Sequence, residues 1–171
     1  MTYKQALVKA AAYCAYQERS QHEVRMKARE WELEPDEIEE LVAEMVTQKF
    51  VDEERYARSY VRGKYAARRW GRRMLVQGLR EQKLSEYCIR AGMSEIDPDI
   101  YWENLLGLAT KKARSVASEP HPMKRKAKVL AYLASKGYES DLARDAAEQA
   151  LAGSEPTDGR RFAADDEDGD F

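Results

Sequence analysis

One spacing of apolar residues occurs three times along the chain, and it constrains the fold more than any other feature of the sequence. Counted from Gly71, apolar residues stand four, eight, thirteen and eighteen positions further on. The same offsets counted from Ser20 and from Arg125 again meet apolar residues. The twelve positions are Val24, Ala28, Leu33 and Ile38; Leu75, Leu79, Leu84 and Ile89; and Val129, Leu133, Tyr138 and Ala143. The matches indicate a repeated unit of about 50 residues.

The spacing also predicts the structure of each unit. Offsets four and eight share one face of an α-helix, whereas the step from eight to thirteen fits a helix end and a tight turn. The offsets thus describe two helices joined by a turn. A further helix precedes this pair of helices in each unit, over residues 3–18, 53–69 and 99–117. We therefore predict an all-α fold of three tandem three-helix repeats, each similar to a helix-turn-helix. A unit of this size buries little surface alone, so we expect the repeats to stack as an elongated short solenoid.

The repeat divides the chain into four segments. We expect helical repeats over residues 1–50, 51–98 and 99–152. Residues 153–171 are acidic and have no helical period, so we predict a disordered tail there. The tail could increase solubility, or it could compete with nucleic acid for a basic face.

Composition and motifs argue against several classes of protein. No apolar run reaches the roughly 18 residues of a membrane span, and the N-terminus lacks the apolar core of a secretory signal. Cys14 and Cys88 fall in apolar-periodic segments, so we expect free thiols that pack as small hydrophobic groups in a reducing cytoplasm. Nothing resembles a phosphate loop, a dinucleotide fingerprint, a metal-ligand pattern or a nucleophile beside a base. We expect neither an enzyme nor a metal site.

Charge is strongly segregated along the chain although the net charge is only −2. Residues 30–54 hold eleven acidic residues and one lysine, whereas residues 55–90 hold eleven basic and two acidic residues. Segregation of this kind concerns partners and association rather than fold.

The middle of the chain resembles a known family. The stretch FVDEERYARSYVRGKYAARRWGRRMLVQGLREQKLS, residues 50–85, is similar to the RecX regulatory proteins of bacteria. Their pattern runs G-hydrophobic-D-D-x-x-Y-A-x-x-Y, then a basic helix, then G-x-x-R-I-x-x-E-L-x-x-K-G-I. The matching residues are Asp52, Tyr56, Ala57, Tyr60, Gly71, Leu75, Leu79 and Leu84. A weaker resemblance extends over residues 5–152. Glu32 and Lys83 stand where the family usually has glycine at the turn, and Glu53 replaces the second aspartate.

The resemblance implies a function. RecX-like proteins are built of tandem three-helix repeats, bind the RecA recombinase, and lodge in the groove of its filament on DNA. They suppress its ATP hydrolysis and strand exchange, and so modulate DNA repair and recombination. They have no enzymatic activity and no cofactor, and some contact single- or double-stranded DNA directly. We expect a monomer that binds no membrane. The alternative is a DNA-binding regulator of helix-turn-helix type that acts without RecA.

The helix at residues 55–69 carries the candidate binding residues. At about 100° per residue, Arg55, Arg58, Arg62 and Arg69 fall within roughly 60° of one another on the helix surface. Tyr56 and Tyr60 lie opposite and are expected in the core. A second basic cluster opens the middle helix of the third unit, where it could extend one basic surface across two repeats. The predicted partner-binding or DNA-binding residues are Arg55, Arg58, Arg62, Arg68, Arg69, Arg72, Arg73, Lys124, Arg125, Lys126 and Lys128.

The competing interpretation is that these arginines form a solvated face paired with acids. The four arginines on one face of the helix at residues 55–69 form what we call the arginine stripe. Part of it could be neutralised by Glu40, Glu44, Glu53 and Glu54. Exposed pairs contribute little to stability, typically below about 1 kcal/mol. Because the excess of basic residues over 55–90 cannot be balanced within that segment, we favour a binding role. Arginine favours bidentate contact with carboxylates or phosphates.

Overall fold

The computed structural model describes residues 1–154, and all of the regular secondary structure within that range is α-helical. The acidic segment that we predict to be disordered lies almost wholly outside the described residues. The nine helices of the described range are α1 (Tyr3–Tyr16), α2 (Gln21–Glu30), α3 (Pro35–Thr47), α4 (Glu53–Arg68), α5 (Arg72–Glu81), α6 (Glu86–Met93), α7 (Pro98–Ser115), α8 (Pro122–Ser135) and α9 (Ser140–Ser154).

The three-helix repeat is confirmed by the helix order and by burial. All twelve apolar positions that share the repeat spacing are buried, with exposures between 0% and 8%. Ser20 and Gly71, the origins of the first two counts, are the N-caps of α2 and α5. The third unit differs, because α8 begins at Pro122, three residues ahead of the equivalent Arg125.

The turn between the second and third helix of every repeat has a left-handed residue at the same offset. These residues are Glu32, Lys83 and Gly137, with φ angles of 59°, 62° and 93°. Only the third is glycine, and a non-glycine residue in this region costs about 1–2 kcal/mol. The turn therefore keeps its backbone conformation in the two repeats that lack the glycine.

The chain divides into two compact units, and unit 1 comprises Met1–Tyr101 together with Lys136–Glu139. In its first repeat, small residues of α1 such as Ala6 and Ala10 pack against the larger buried side chains of α3. The second repeat is held to the first by Ser20, a fully buried residue whose Oγ donates to Gln82 Oε1 at 2.7 Å. Within the second repeat, α4 packs closely on α6, since a Cβ at Gly92 would lie 2.8 Å from the Ala57 carbonyl oxygen.

The segment 136–139 belongs to unit 1 and packs against the start of α5. The Gly71 amide donates to the Lys136 carbonyl at 2.7 Å, and the Arg73 amide donates to the Gly137 carbonyl at 3.0 Å. A Cβ at Gly71 would stand 2.3 Å from the carbonyl carbon of Gly137. Glycine at position 71 is therefore required by a close backbone approach.

Within the described residues, unit 2 comprises Trp102–Ser135 and residues 140–154. Its helices α8 and α9 pack through Val129 and Leu133 on one side and a row of buried alanines on the other. None of the helices described is long and apolar enough to cross a membrane.

Candidate partner-binding surface

Helix α4 presents one face to the core of unit 1 and another to solvent. Asp52 caps its N-terminus by accepting from the Arg55 amide at 3.0 Å, and acidic residues in the first turn complement the helix dipole. Tyr56 is buried, as expected, and its ring stacks on that of Tyr60, which is half-buried. Burial first, and then the neighbouring Glu23 carboxylate, raise the pKa of Tyr56, so its hydroxyl remains a donor.

The three arginines at the start of the predicted stripe all meet acidic groups of unit 1. Arg55 Nε donates to Glu18 Oε1 at 2.6 Å, while its Nη2 reaches the carbonyls of Lys49 and Phe50. Arg58 and Arg62 both reach Glu95 Oε1, at 3.2 and 2.9 Å.

The acids that pair with the arginine stripe come mostly from outside the acid-rich residues 30–54. Arg58 also forms an ion pair with Glu54 at 3.0 Å. Of the four acids that we expected to neutralise the stripe, Glu54 alone forms an ion pair with it among the described residues. Glu18 follows α1 and Glu95 follows α6, and both lie more than 30 residues from their arginines in sequence. Local sequence carries no signal of such distant pairing. All three arginines keep 37–57% of their side chains exposed, so these pairs are weak and exchangeable.

Arg69 does not belong to the stripe, which corrects the helical projection. Helix α4 ends at Arg68, and Arg69 is its C-cap with a left-handed φ of 53°. The projection placed Arg69 beside Arg62 because it assumed that the helix continues. In the structure the Arg69 carbonyl accepts a hydrogen bond from the Tyr138 hydroxyl at 2.8 Å.

The last two turns of α4 carry a different arrangement, an aromatic residue flanked by cations. Lys64 Nζ lies 5.3 Å from the centroid of the Trp70 ring and 5.8 Å from that of Tyr60, and the Arg68 guanidinium lies 5.9 Å from the Trp70 centroid. We call Tyr60, Lys64, Arg68 and Trp70 the Trp70 cluster. Lys64 was not among the predicted binding residues. Its spacing of four residues from both Tyr60 and Arg68 would have placed the three side chains on the same face of the helix.

An open groove of about 520 Å³ runs beside this cluster. Its α4 side includes Gly63 and Ala67, and a Cβ added at Gly63 would meet nothing within 4 Å. Its other end is acidic and is formed by Gln17 and Glu18, which follow α1, and by Glu23 of α2. No ion pair joins Lys64 or Arg68 to an acid of the described residues, so the cationic end of the groove is the less compensated one.

The predicted residues of α5 have two different surroundings. Arg72 is held inside unit 1, where its Nη1 bonds to Glu139 at 2.9 Å and its guanidinium covers the Tyr101 ring at 3.9 Å. The Tyr101 hydroxyl accepts from the Arg72 amide and donates to Glu139. Arg73 is exposed and its side chain makes no ion pair within residues 1–154. Arg73 is thus available to a partner, whereas Arg72 already has two contacts.

The remaining predicted cations lie in unit 2, at the start of α8. Lys126 Nζ pairs with Glu148 at 3.1 Å and Lys128 Nζ with Glu119 at 3.0 Å. Lys124 and Arg125 have no ion pair in the described part of the chain. No group of three or more potential metal ligands occurs among the described residues, either here or in unit 1.

Comparison with known proteins finds a family whose sequence models match this chain. Sequence models of the three RecX three-helix domains match the chain in order: the first over residues 6–45, the second over 52–93 and the third over 99–147. The chain is 27% identical to "Regulatory protein RecX" of Listeria innocua serovar 6a over 152 residues, which is 87% of this chain and 55% of that protein. It is also 27% identical to the Bacillus mycoides protein of the same name, over 81% of this chain and 51% of that protein. The chain thus spans about half the length of the curated relatives it matches.

Two solved structures have the same fold. A crystal structure of regulatory protein RecX matches with a TM-score of 0.78 and 24% identity, covering 86% of this chain and 71% of that one. The crystal structure of RecX from Lactobacillus salivarius matches with a TM-score of 0.76 and 21% identity, covering 86% and 96% of the two chains. At these identities the likeness establishes the fold alone.

Proposed function

We propose, because this chain belongs to the RecX family of regulatory proteins, that it binds the RecA filament and inhibits ATP hydrolysis and strand exchange there. Such a protein modulates DNA repair and recombination in the cytoplasm and needs neither a cofactor nor catalysis of its own. The observation that carries the proposal is the match to all three RecX domains in order along the chain. The groove of a filament on DNA offers carboxylates and phosphates, which are the groups that arginine and lysine bind.

The Trp70 cluster and Arg73 are the part of the surface that we assign to first contact. Their cations have no acidic partner in the described residues, so binding a carboxylate or phosphate does not require an existing ion pair to break. Arg58 and Arg62 would follow by exchanging Glu95 for a group of the partner. That exchange costs little, because exposed pairs contribute about 0.2–1 kcal/mol.

A titration of RecA ATP hydrolysis on single-stranded DNA tests the function. We expect added protein to lower the hydrolysis rate to a plateau, and an unchanged rate with no association in a pull-down would refute the proposal. The double variant Lys64→Gln with Arg68→Gln should weaken inhibition by about a hundredfold or more, since each lost charge-assisted contact contributes roughly 1.5–3 kcal/mol.

A matched control separates a site effect from a loss of net charge. Lys4 and Lys9 are exposed on α1, away from the groove, and Lys4→Gln with Lys9→Gln removes the same charge from the same unit. That control should inhibit like the unaltered protein. Equal weakening by both pairs would reject the site while leaving the function in place.

Direct binding of DNA without RecA is the second candidate function, and the Trp70 cluster is the observation in its favour. An aromatic ring beside cations suits single-stranded nucleic acid, where bases stack and phosphates are neutralised. A mobility-shift titration without RecA separates the two. Tight binding that weakens steeply with salt would favour this candidate, and weak binding together with full RecA inhibition would favour the first.

A further inference from the structure

Hydrogen bonds fix the backbone on both sides of Trp70 to the turn between α8 and α9. The Arg69 carbonyl, one residue before Trp70, accepts from the Tyr138 hydroxyl at 2.8 Å. The Gly71 amide, one residue after it, donates to the Lys136 carbonyl at 2.7 Å. The turn comes from the third repeat of the sequence but belongs to unit 1. It therefore fixes the backbone position of Trp70.

The side chain of Lys136 reaches the same end of α4. Its Nζ donates to the Arg68 carbonyl at 2.9 Å, and the residue is half-buried. An ammonium group has three N–H donors, and this bond uses one of them. No ion pair joins Lys136 to an acid within residues 1–154, as is also the case for Lys64 and Arg68. Lys136 thus adds an unneutralised cation beside the Trp70 cluster.

Capping of α4 accounts for only part of this arrangement. A lysine at a helix C-terminus satisfies a terminal carbonyl and complements the helix dipole. That role leaves the charge of Lys136 without a carboxylate, although Glu139 stands only three residues further on. Glu139 pairs instead with Arg72, at 2.9 Å. The charge of Lys136 is therefore available to a partner.

Close packing holds the turn against α5. Gly137 has a φ of 93°, well beyond the 59° and 62° of the equivalent Glu32 and Lys83, and a Cβ there would lie 2.5 Å from the Cβ of Met74. Glycine is thus required at position 137 by conformation and by space. A turn packed this closely keeps Lys136 in a defined place at the end of α4.

We infer that the turn between α8 and α9 completes the partner-binding surface around the Trp70 cluster. Lys136 binds a carboxylate of the partner together with the cations of that cluster, and Tyr138 is a positioning residue that holds the Arg69 carbonyl. This role rests on the proposed function, because it takes RecA in its filament as the partner. A surface formed by α4 and α5 alone is then incomplete, and the third repeat contributes to binding through unit 1.

A carboxylate of RecA fits this surface better than the phosphates of a DNA strand. The groove beside the cluster is lined at its other end by Glu18 and Glu23. The Oε2 atom of Glu18 is buried and accepts no hydrogen bond from the described residues. A strand with a phosphate at every nucleotide would bring like charge against that end. A protein segment can place an acid at the cations and a hydrogen-bond donor near Glu18.

Titrations of RecA ATP hydrolysis on single-stranded DNA test the role of Lys136. Lys136→Gln should raise the concentration for half inhibition about tenfold or more, the effect of one lost charge-assisted contact. Lys136→Arg keeps the charge and should inhibit nearly as well as the unaltered chain. The matched control Lys4→Gln removes the same charge from the exposed side of α1 and should change nothing.

The outcomes separate this role from the proposed function. If the unaltered chain inhibits RecA and Lys136→Gln inhibits equally well, the inference is overturned and the proposed function stands. If the unaltered chain does not inhibit RecA, both are overturned. In a mobility-shift titration without RecA, Lys136→Gln should bind single-stranded DNA as the unaltered chain does. A loss there as large as the loss of inhibition would assign Lys136 to phosphates and overturn the choice of a RecA carboxylate.

Tyr138→Phe tests the positioning role, because it removes one hydroxyl and keeps the buried ring. In nuclear magnetic resonance of the free chain, the Trp70 indole N–H and the amides of residues 69–71 should shift. Half inhibition should need roughly three to ten times more protein, the effect of one neutral hydrogen bond, with an unchanged plateau. Ser85→Ala removes a capping bond elsewhere in unit 1 and should leave half inhibition unaltered. Equal weakening by both variants would show that lost stability is the cause and would overturn the positioning role.

Discussion

Replacing Gly71 by alanine should destabilise unit 1 through a single added methyl group. The backbone at Gly71 has a φ of −71°, which alanine adopts without strain, so the effect is purely one of space. The new Cβ would stand 2.3–2.4 Å from backbone atoms of Gly137 and Tyr138, far inside van der Waals contact. Backbone atoms cannot rotate away, and the segment 136–139 must therefore move.

The expected loss of stability is about 2–4 kcal/mol. If the segment stays in place, overpacking costs roughly 1–3 kcal/mol, and alanine is a poorer N-cap than glycine by some tenths. If the segment is released, the hydrogen bonds that the Gly71 and Arg73 amides donate to it are lost, at about 0.5–1.5 kcal/mol each. The ion pair between Arg72 and Glu139 is lost with them. Either route lowers the melting temperature by roughly 5–12 °C for a chain of this size.

Urea and thermal unfolding followed by circular dichroism give the measurement, and Gly63→Ala gives the matched control. A Cβ at Gly63 meets nothing within 4 Å, and this glycine lies in the interior of α4. That substitution should raise stability by about 0.5–1 kcal/mol. The same chemical change is thus expected to have opposite signs at two positions. A Gly71→Ala protein as stable as the unaltered chain would refute the close approach.

Four further substitutions or reactions test separate parts of the structure. Lys83→Gly should raise the free energy of unfolding by about 0.5–1 kcal/mol in urea titration, because relief of left-handed strain exceeds the added entropy of the unfolded chain; a decrease would contradict the strain. Ser20→Ala should lose about 2 kcal/mol, for the cap and for the bond to a glutamine of the second repeat, whereas Ser85→Ala should lose only a cap of about 1 kcal/mol. Equal losses would show that the bond between repeats contributes nothing. Burial raises the pKa of the Cys14 thiol, so this cysteine should react with a thiol reagent at pH 8 far more slowly than the other one; mass spectrometry checks the order of labelling. Glu95→Gln should cost less than about 1 kcal/mol, because the two arginine pairs it removes are exposed, and a loss above 2 kcal/mol would make those arginines structural.

Apolar spacing was enough to predict the core, and the reason is physical. A helix–turn–helix unit has few ways to bury its apolar residues, so four offsets in each repeat identify twelve buried positions. At the turn where the resembling family usually has glycine, Glu32 and Lys83 adopt the left-handed conformation despite its cost, which the spacing of apolar residues does not predict. The four offsets include no position at the end of the first helix of a repeat, which is why Arg69 was placed on a helix that stops at Arg68.

Charge patterns are harder to interpret from sequence because compensation is a property of the folded chain. Glu18 and Glu95 meet the arginines of α4 only after the helices pack, and no local pattern brings them together. The excess of basic residues over 55–90 therefore overstated how much of the stripe is available. Among residues 1–154, the cations that form no ion pair include Lys64, Arg68 and Arg73 around Trp70, and Lys124 and Arg125 at the start of α8. A basic stripe on one helix therefore indicates a binding surface only at the positions that acids from other parts of the chain do not reach.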